Sequence, residues 1–584
     1  MTYKFVNDPC RNFCILASIT LIDPIDRHEK IDLSSFVEGG TGILVFIDRN
    51  TGEGETVTLP GDEGAWALLN VNNEKLLVGT CGLLGYLHKL DLKTRTWSEP
   101  LRDKDETYIW NLVMGSDGKV YGGTWPGGVM LQYDIEGHTL KNLGRMSDVE
   151  ENMYVREVYS GVPGYVLFSC GTAEQHLGAW NIETGERMRI GKSGAKISEI
   201  TDEYIRTVNG DKFEYYDAKT FKDIEKTDVK EDKAGIGKAK LIPSGSRFVV
   251  ELADGSLAGV KGQEYFIIDR DCIKPELKRI PVEAPATQIL TITSDERGRI
   301  WGSSAFGQTI FSYNPPDNTY INTPSVCESG GEVYGMRFTG NRLFMSSYAG
   351  GDHVVYDPSK PWDQINNANP QTLKSVAPEF IRPTGRSIIG PDGAFWTGWS
   401  AKYGIYGGCL SRVDTGTLLV EAWNDPVPGQ QIAWLAADDR YIFFITNGEA
   451  SGRKTKVERF HMVKWDPYGR SIVKDILLPD GIVPGMISTV QNCTLVVAGE
   501  KILVFEKDAM NYVDTIALPE KCNVLTVLSD SEVLVFCDTK LFLIGMPKTE
   551  IIYRGELPGH VLSAAVTPEG DVYFAHKEHL YKLY

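Results

Sequence analysis

The stretch "YIWNLVMGSDGKVYGGTWPGGVMLQYDIEGHTLKNLGRM" (residues 108–146) reads as four short strands with a turn signal between each pair. "YIWNLVMG" alternates as a buried strand, and Ser-Asp-Gly-Lys is a tight turn. "VYGGTW" is a second strand, Pro-Gly-Gly a loop, and "VMLQYD" a third strand. "IEGH" is a turn, and "TLKNLGRM" a fourth, more polar strand. Four antiparallel strands of this length make one blade of a β-propeller.

The same frame recurs in "VGTCGLLGYLHKLD" (78–91), "SCGTAEQHLGAWN" (169–181), "GSSAFGQTIFSYN" (302–314) and "MSSYAGGDHVVYD" (345–357). Each has a pair of small residues, a loop, an apolar run with an aromatic or Leu, and a closing Asp or Asn. Repeats of this period along a whole chain identify an array rather than a single core. Blades fall near 65–107, 108–152, 153–196, 197–235, 236–286, 287–332, 333–383, 384–431, 432–484, 485–523 and 524–560, with further units at both ends. A helical solenoid would need apolar residues at 3.6 spacing, and the segments alternate or stay apolar for only a few residues. One ring holds about 4–8 blades. The chain has 584 residues, so the expectation is an all-β protein of two tandem propellers with six or seven blades each. The first would span 1–310 and the second 311–584, with the boundary inside 285–335. The C-terminal unit supplies about three strands, and "NFCILASITLI" (12–22) is the expected strand that closes the ring against it. The charged run at 225–240 reads as a solvated blade edge or connection.

A net charge of −18 argues against nucleic acid as a partner, because such binding needs a basic footprint. The N-terminus lacks a basic stretch followed by an apolar core and a small-residue cleavage site, and no run approaches 18 apolar residues. The expected location is the cytoplasm, with export of a processed form left open, and no membrane partner. The ten cysteines are scattered and read as small buried residues in a reducing compartment. No zinc spacing, nucleotide loop, GxSxG elbow or Asp-rich calcium loop is present, so neither metal nor cofactor is expected.

In a propeller, the loop between the second and third strands and the link into the next innermost strand open on one face. Rim residues there are the candidates for chemistry. The 333–383 blade offers Tyr334 and Arg337 near the start of its innermost strand, and Tyr348, Asp352 and His353 in its rim loop. His353 suits a base near neutral pH. Arg337 suits stabilisation of a developing enolate charge, and Tyr348 or Tyr334 suits a proton donor. The next blade adds Trp399, Lys402 and Tyr403 as substrate-binding candidates, with Arg386 for a carboxylate pocket; exposed aromatics beside a polar mouth stack on sugar rings. The first ring offers Trp110, Trp125, Arg156 and His176, the last in a rim loop with Glu174. His88 and His461 read as structural strand residues.

The phrases "SDGKVYGGTWPGGVMLQYD" (116–134) and "SDERGRIWGSSAFGQTIFSYN" (294–314) resemble blades of bacterial propeller lyases: polysaccharide lyases acting on uronate-containing glycans, and streptogramin lyases. The resemblance covers individual blades and implies β-elimination with His, Tyr and Arg at the propeller mouth. The expectation is therefore a carbohydrate-active enzyme, foremost a lyase on a uronate-bearing oligosaccharide or glycoside. The alternatives are a glycoside hydrolase, which needs paired carboxylates at the mouth, and a non-catalytic propeller that binds a glycan or a protein.

Overall fold

A computed structural model describes all residues except 172, 226–239 and 451–453. It divides into two compact units, residues 13–283 and residues 1–12 with 284–584. Every regular element is a β-strand among the described residues, and the strands form antiparallel sheets, mostly of four strands, the 64–97 and 108–145 blades being bridged at Cys81 and Tyr108 into one eight-stranded sheet.

The 13–283 unit contains blades at 14–58, 64–97, 108–145, 154–190, 196–217 and 247–279. The 196–217 sheet has three strands among the described residues. The ring closes where the first and last innermost strands meet: Ser18 Oγ donates to the Phe248 carbonyl at 3.1 Å. Most of the charged run at 225–240 lies outside the described residues.

The second unit contains blades at 289–322, 333–372, 380–424, 431–477, 486–517, 522–556 and 563–583. Its innermost strands neighbour one another in that order, and the last returns to the first. Tyr3–Asn7 pairs with His579–Leu583 as the outer strand of the final blade. The N-terminus therefore closes a ring as expected, but with a different strand. Cys14–Ile22, expected as the donor, is instead the innermost strand of the first blade of the other unit. The division falls at Glu283/Ala284 rather than at 310/311, because the 289–322 blade belongs with the later blades.

Two details explain the recurring frame. The small residues on the second strand let the next blade approach. A Cβ on Gly123 would lie 2.3 Å from the Val155 carbonyl oxygen, and one on Gly398 2.5 Å from Ile432 Cγ2. Such distances leave room for no side chain. The closing Asp or Asn makes the turn into the fourth strand. Asp91 Oδ1 accepts from the Lys93 and Thr94 N–H groups, and Asp414 Oδ1 from those of Gly416 and Thr417; these side chains imitate a backbone turn. Second and third strands are buried, as in Phe395–Ala401, while fourth strands such as Ser471–Leu477 are largely exposed. Apolar residues of adjacent blades fill the space between sheets, for example Trp396, Ile432, Phe444 and Trp465.

Candidate functional sites at the two mouths

At the mouth of the seven-bladed unit, Tyr334 begins the innermost strand Val333–Thr339 and Tyr348 follows the second strand of the same blade. Tyr403 stands in the corresponding loop of the next blade, 57 % exposed. Arg382, third in the innermost strand Phe380–Ile389, joins them. Its Nη2 donates to Tyr403 Oη at 3.0 Å, and its guanidinium lies over the rings of Tyr348, 4.5 Å away, and Tyr403, 5.7 Å away. The Tyr348 and Tyr403 hydroxyls are hydrogen-bonded to each other, and the Tyr334 ring meets Tyr348 edge-on at 6.5 Å. Among the described residues the charge partners of Arg382 are the tyrosines and not a carboxylate, Glu332 acting on Tyr334 and Tyr403 instead, and its buried Nε has no hydrogen-bond partner. Burial pushes the Tyr334 phenol up to about 12, Glu332 adding to the effect and Arg382 opposing it. Burial and the bond to Tyr348 push Tyr403 to about 12 as well. Near neutral pH these two phenols are hydrogen-bond donors.

Arg382 escaped the sequence reading because the blade limit was set between 383 and 384, whereas Pro383 pairs with Trp399 inside the innermost strand.

Several expected partners lie elsewhere. His353 is 1 % exposed and belongs to the third strand Asp352–Tyr356, not to a rim loop. Its Nδ1 bonds the Lys374 carbonyl at 3.0 Å and its Nε2 the Ser411 hydroxyl at 2.8 Å. Burial lowers its pKa to about 4, so it is a neutral, enclosed imidazole. Trp399, expected exposed, is fully buried; it packs edge-on against His353 at 5.1 Å and donates from its indole to Ser411 Oγ at 2.7 Å. The turn at Gly350–Gly351 is shorter than the sequence suggests, and Asp352 and His353 already pair with Ser347 and Ser346. Lys402 is exposed beside Tyr403. Arg337 and Arg386 lie deeper along their strands than Tyr334 and Arg382: Arg337 donates to the carbonyl of Met336, and Arg386 reaches Leu562 and Ser563.

The six-bladed unit has a different mouth. Arg156 lies over Trp110 at 4.0 Å and over Trp66 at 4.7 Å. Tyr108 contacts both Trp110 and Trp125, and Tyr154 contacts Trp110. These residues occupy the first or third positions of consecutive innermost strands or face them from the rim. Trp66 was missed because "GAWALLNV" gives no sign of which end faces the rim. Two carboxyls, Glu38 and Glu63, border this mouth. Burial raises both, with Glu63 adding to the rise at Glu38, and both reach Tyr108 electrostatically. His176 stands apart. It is buried in the third strand of its blade beside a cleft lined by Asp148, Arg187 and Arg189, and burial and Arg189 lower its pKa.

The one cluster of possible metal ligands among the described residues is Asp26, His28 and Asp48. The Lys30 ammonium, 2.6 Å from Asp26 and 2.5 Å from Asp48, already supplies the cation between the carboxylates.

No protein-family model and no curated protein matches the sequence. Similar solved structures include the extracellular domain of a one component system from B. thetaiotaomicron, at 11% identity over 99% of this chain and 81% of that chain, TM-score 0.37. Kuenenia stuttgartiensis hydrazine synthase aligns at 10% identity over 51% and 95% of the two chains, TM-score 0.39. A chain of a mitotic checkpoint complex aligns at 12% identity over 50% and 87%, TM-score 0.39. The description as two β-propellers rests on the sheets themselves.

Proposed function

We propose that the mouth of the seven-bladed unit binds an acidic carbohydrate, a uronate-bearing oligosaccharide or glycoside. The observation that carries this reading is Arg382: a half-buried guanidinium with no carboxylate partner among the described residues, set among three tyrosines. A guanidinium fork matches a carboxylate. Phenols that stay protonated donate to carboxylate or hydroxyl oxygens, and exposed ring faces such as Tyr403 suit the C–H face of a sugar. The other mouth carries two carboxyls, Glu38 and Glu63, against Glu332 alone here, and suits an acidic ligand less well.

A second reading, β-elimination, is favoured by the Tyr348–Tyr403 hydrogen bond in contact with Arg382. In that reaction Arg382 would neutralise the uronate carboxylate. The C5 proton would pass to Tyr348 as Tyr348 hands its own proton to Tyr403 and Tyr403 its own to the leaving oxygen, the C4–O bond breaking to give a 4,5-unsaturated uronate. His353, enclosed by Lys374, Ser411 and Trp399, has no part in it.

The test is titration of the intact chain with matched oligosaccharides that differ only in carboxylate against reduced alcohol, with absorbance followed at the unsaturated-uronate band. Binding of the acidic member alone supports the proposal, and rising absorbance adds the elimination. Equal binding of both members, or of neither, overturns it.

A further inference from the structure

Deeper in the same unit stand two arginines that the mouth does not use. Arg337 is the fifth residue of Val333–Thr339, about 10 Å further along the strand than Tyr334 at the usual rise. Its Nη1 donates to its own strand's Met336 carbonyl at 2.7 Å. Arg386 extends from the third blade of the ring to the seventh. Its guanidinium donates to the Leu562 carbonyl and to Ser563 Oγ, and lies 5.7 Å from the ring of Trp434 in the fourth blade. The third and seventh blades are not neighbours in the ring, so this side chain crosses the central channel. Its backbone is in the left-handed region, φ 58°, which a non-glycine residue adopts at a cost. The two cations are close enough for Arg337 to depress Arg386, whose pKa burial and that charge bring down to about 9.

Neither guanidinium has a carboxylate partner among the described residues. The carboxylates at either end do not supply one. Glu332 precedes the strand at the mouth, and Asp295, just past the end of Ile289–Ser294, is engaged by Arg299 and Trp301. Both arginines are half-buried, and two like charges facing one channel repel each other. An anion between them would remove that penalty.

We infer that the central channel of the seven-bladed unit holds a small oxyanion between Arg337 and Arg386. Inorganic phosphate and a ligand carboxylate share the required chemistry, paired oxygens that accept from guanidinium forks. The site is separate from Arg382 and does not depend on the carbohydrate reading.

The experiment is calorimetric titration at low salt of the intact chain with inorganic phosphate, and of its Arg382→Met variant with glucuronate, so that the mouth adds no uronate site of its own. The expected result is one site per chain whose affinity falls tenfold or more in Arg337→Met and in Arg386→Gln. Arg386→Lys should fall between, since lysine keeps the charge and loses the fork. Tighter binding of phosphate identifies a free or esterified phosphate as the occupant; tighter binding of glucuronate at the same residues identifies a carboxylate. If Arg386 variants do not fold, Arg337→Met decides, because that side chain bonds only its own strand. Absence of binding by both anions, or full binding by a folded Arg337→Met variant, overturns the inference.

Discussion

Asp32 lies in the second strand of the 14–58 blade with no exposed surface, and neither carboxylate oxygen has a hydrogen-bond partner among the described residues. Burial raises its pKa well above the ordinary value, and the more distant Arg95 charge opposes this only in part. The folded chain thus holds a proton there that the unfolded chain releases above about pH 4. A raised carboxyl pKa costs stability as pH climbs past the unfolded value. Asp32→Asn is therefore expected to raise the melting temperature at pH 7, with the gain shrinking to nothing below about pH 4. His353 behaves in the opposite sense. Its folded pKa is lowered to about 4, against about 6.5 when unfolded, so its contribution is complete above pH 6.5 and is lost as pH falls towards 4. His353→Gln should lower the melting temperature at pH 7 and flatten the fall of stability between pH 6.5 and 4. Thermal melts across that range check both variants. At this scale the sequence was a partial guide. Tyr334, Tyr348 and Tyr403 do share a mouth, because strand starts and rim loops can be located from turn residues. Burial within a second or third strand depends on the neighbouring blade, which is why Trp399 and His353 looked exposed.

Strands and their order were readable along almost the whole chain, since alternation, Asp-Gly turns and closing Asp or Asn residues are local signals. Ring closure is not local. Residues 3–7 and 14–22 are both short runs able to pair, and the choice between them depends on a partner more than 550 residues away. The pairing itself is well supported: Tyr3 and Phe5 pack edge-on against Tyr581, and Asp8 holds His579 at 2.6 Å. Removing residues 1–8 would expose the His579–Leu583 edge and uncover Tyr581. The expected outcome is a markedly lower melting temperature for the seven-bladed unit and a tendency to associate through the open edge, read by calorimetry and light scattering. An unchanged transition would contradict closure by these residues.

For the whole molecule, the contact pattern makes 13–283 a complete ring and leaves 284–584 dependent on the first twelve residues. A fragment of residues 13–283 should fold cooperatively by itself, with the circular dichroism of an all-strand protein; failure to fold would show that the six-bladed ring is not self-sufficient. The two mouths differ in kind. One sets an arginine with no carboxylate partner among the described residues amid phenols, and the other layers an arginine between indoles beside two raised carboxyls. Assigning an acidic ligand to the first is the central claim. It is tested most directly by measuring the affinity of a uronate oligosaccharide for Arg382→Met and Arg156→Met side by side with the unmodified chain. Losing a charged hydrogen bond typically costs about 1.5–3 kcal/mol, or roughly 10- to 150-fold in affinity. The account predicts a loss of that size for Arg382→Met and little change for Arg156→Met; the reverse pattern, or equal affinity in all three proteins, would contradict it.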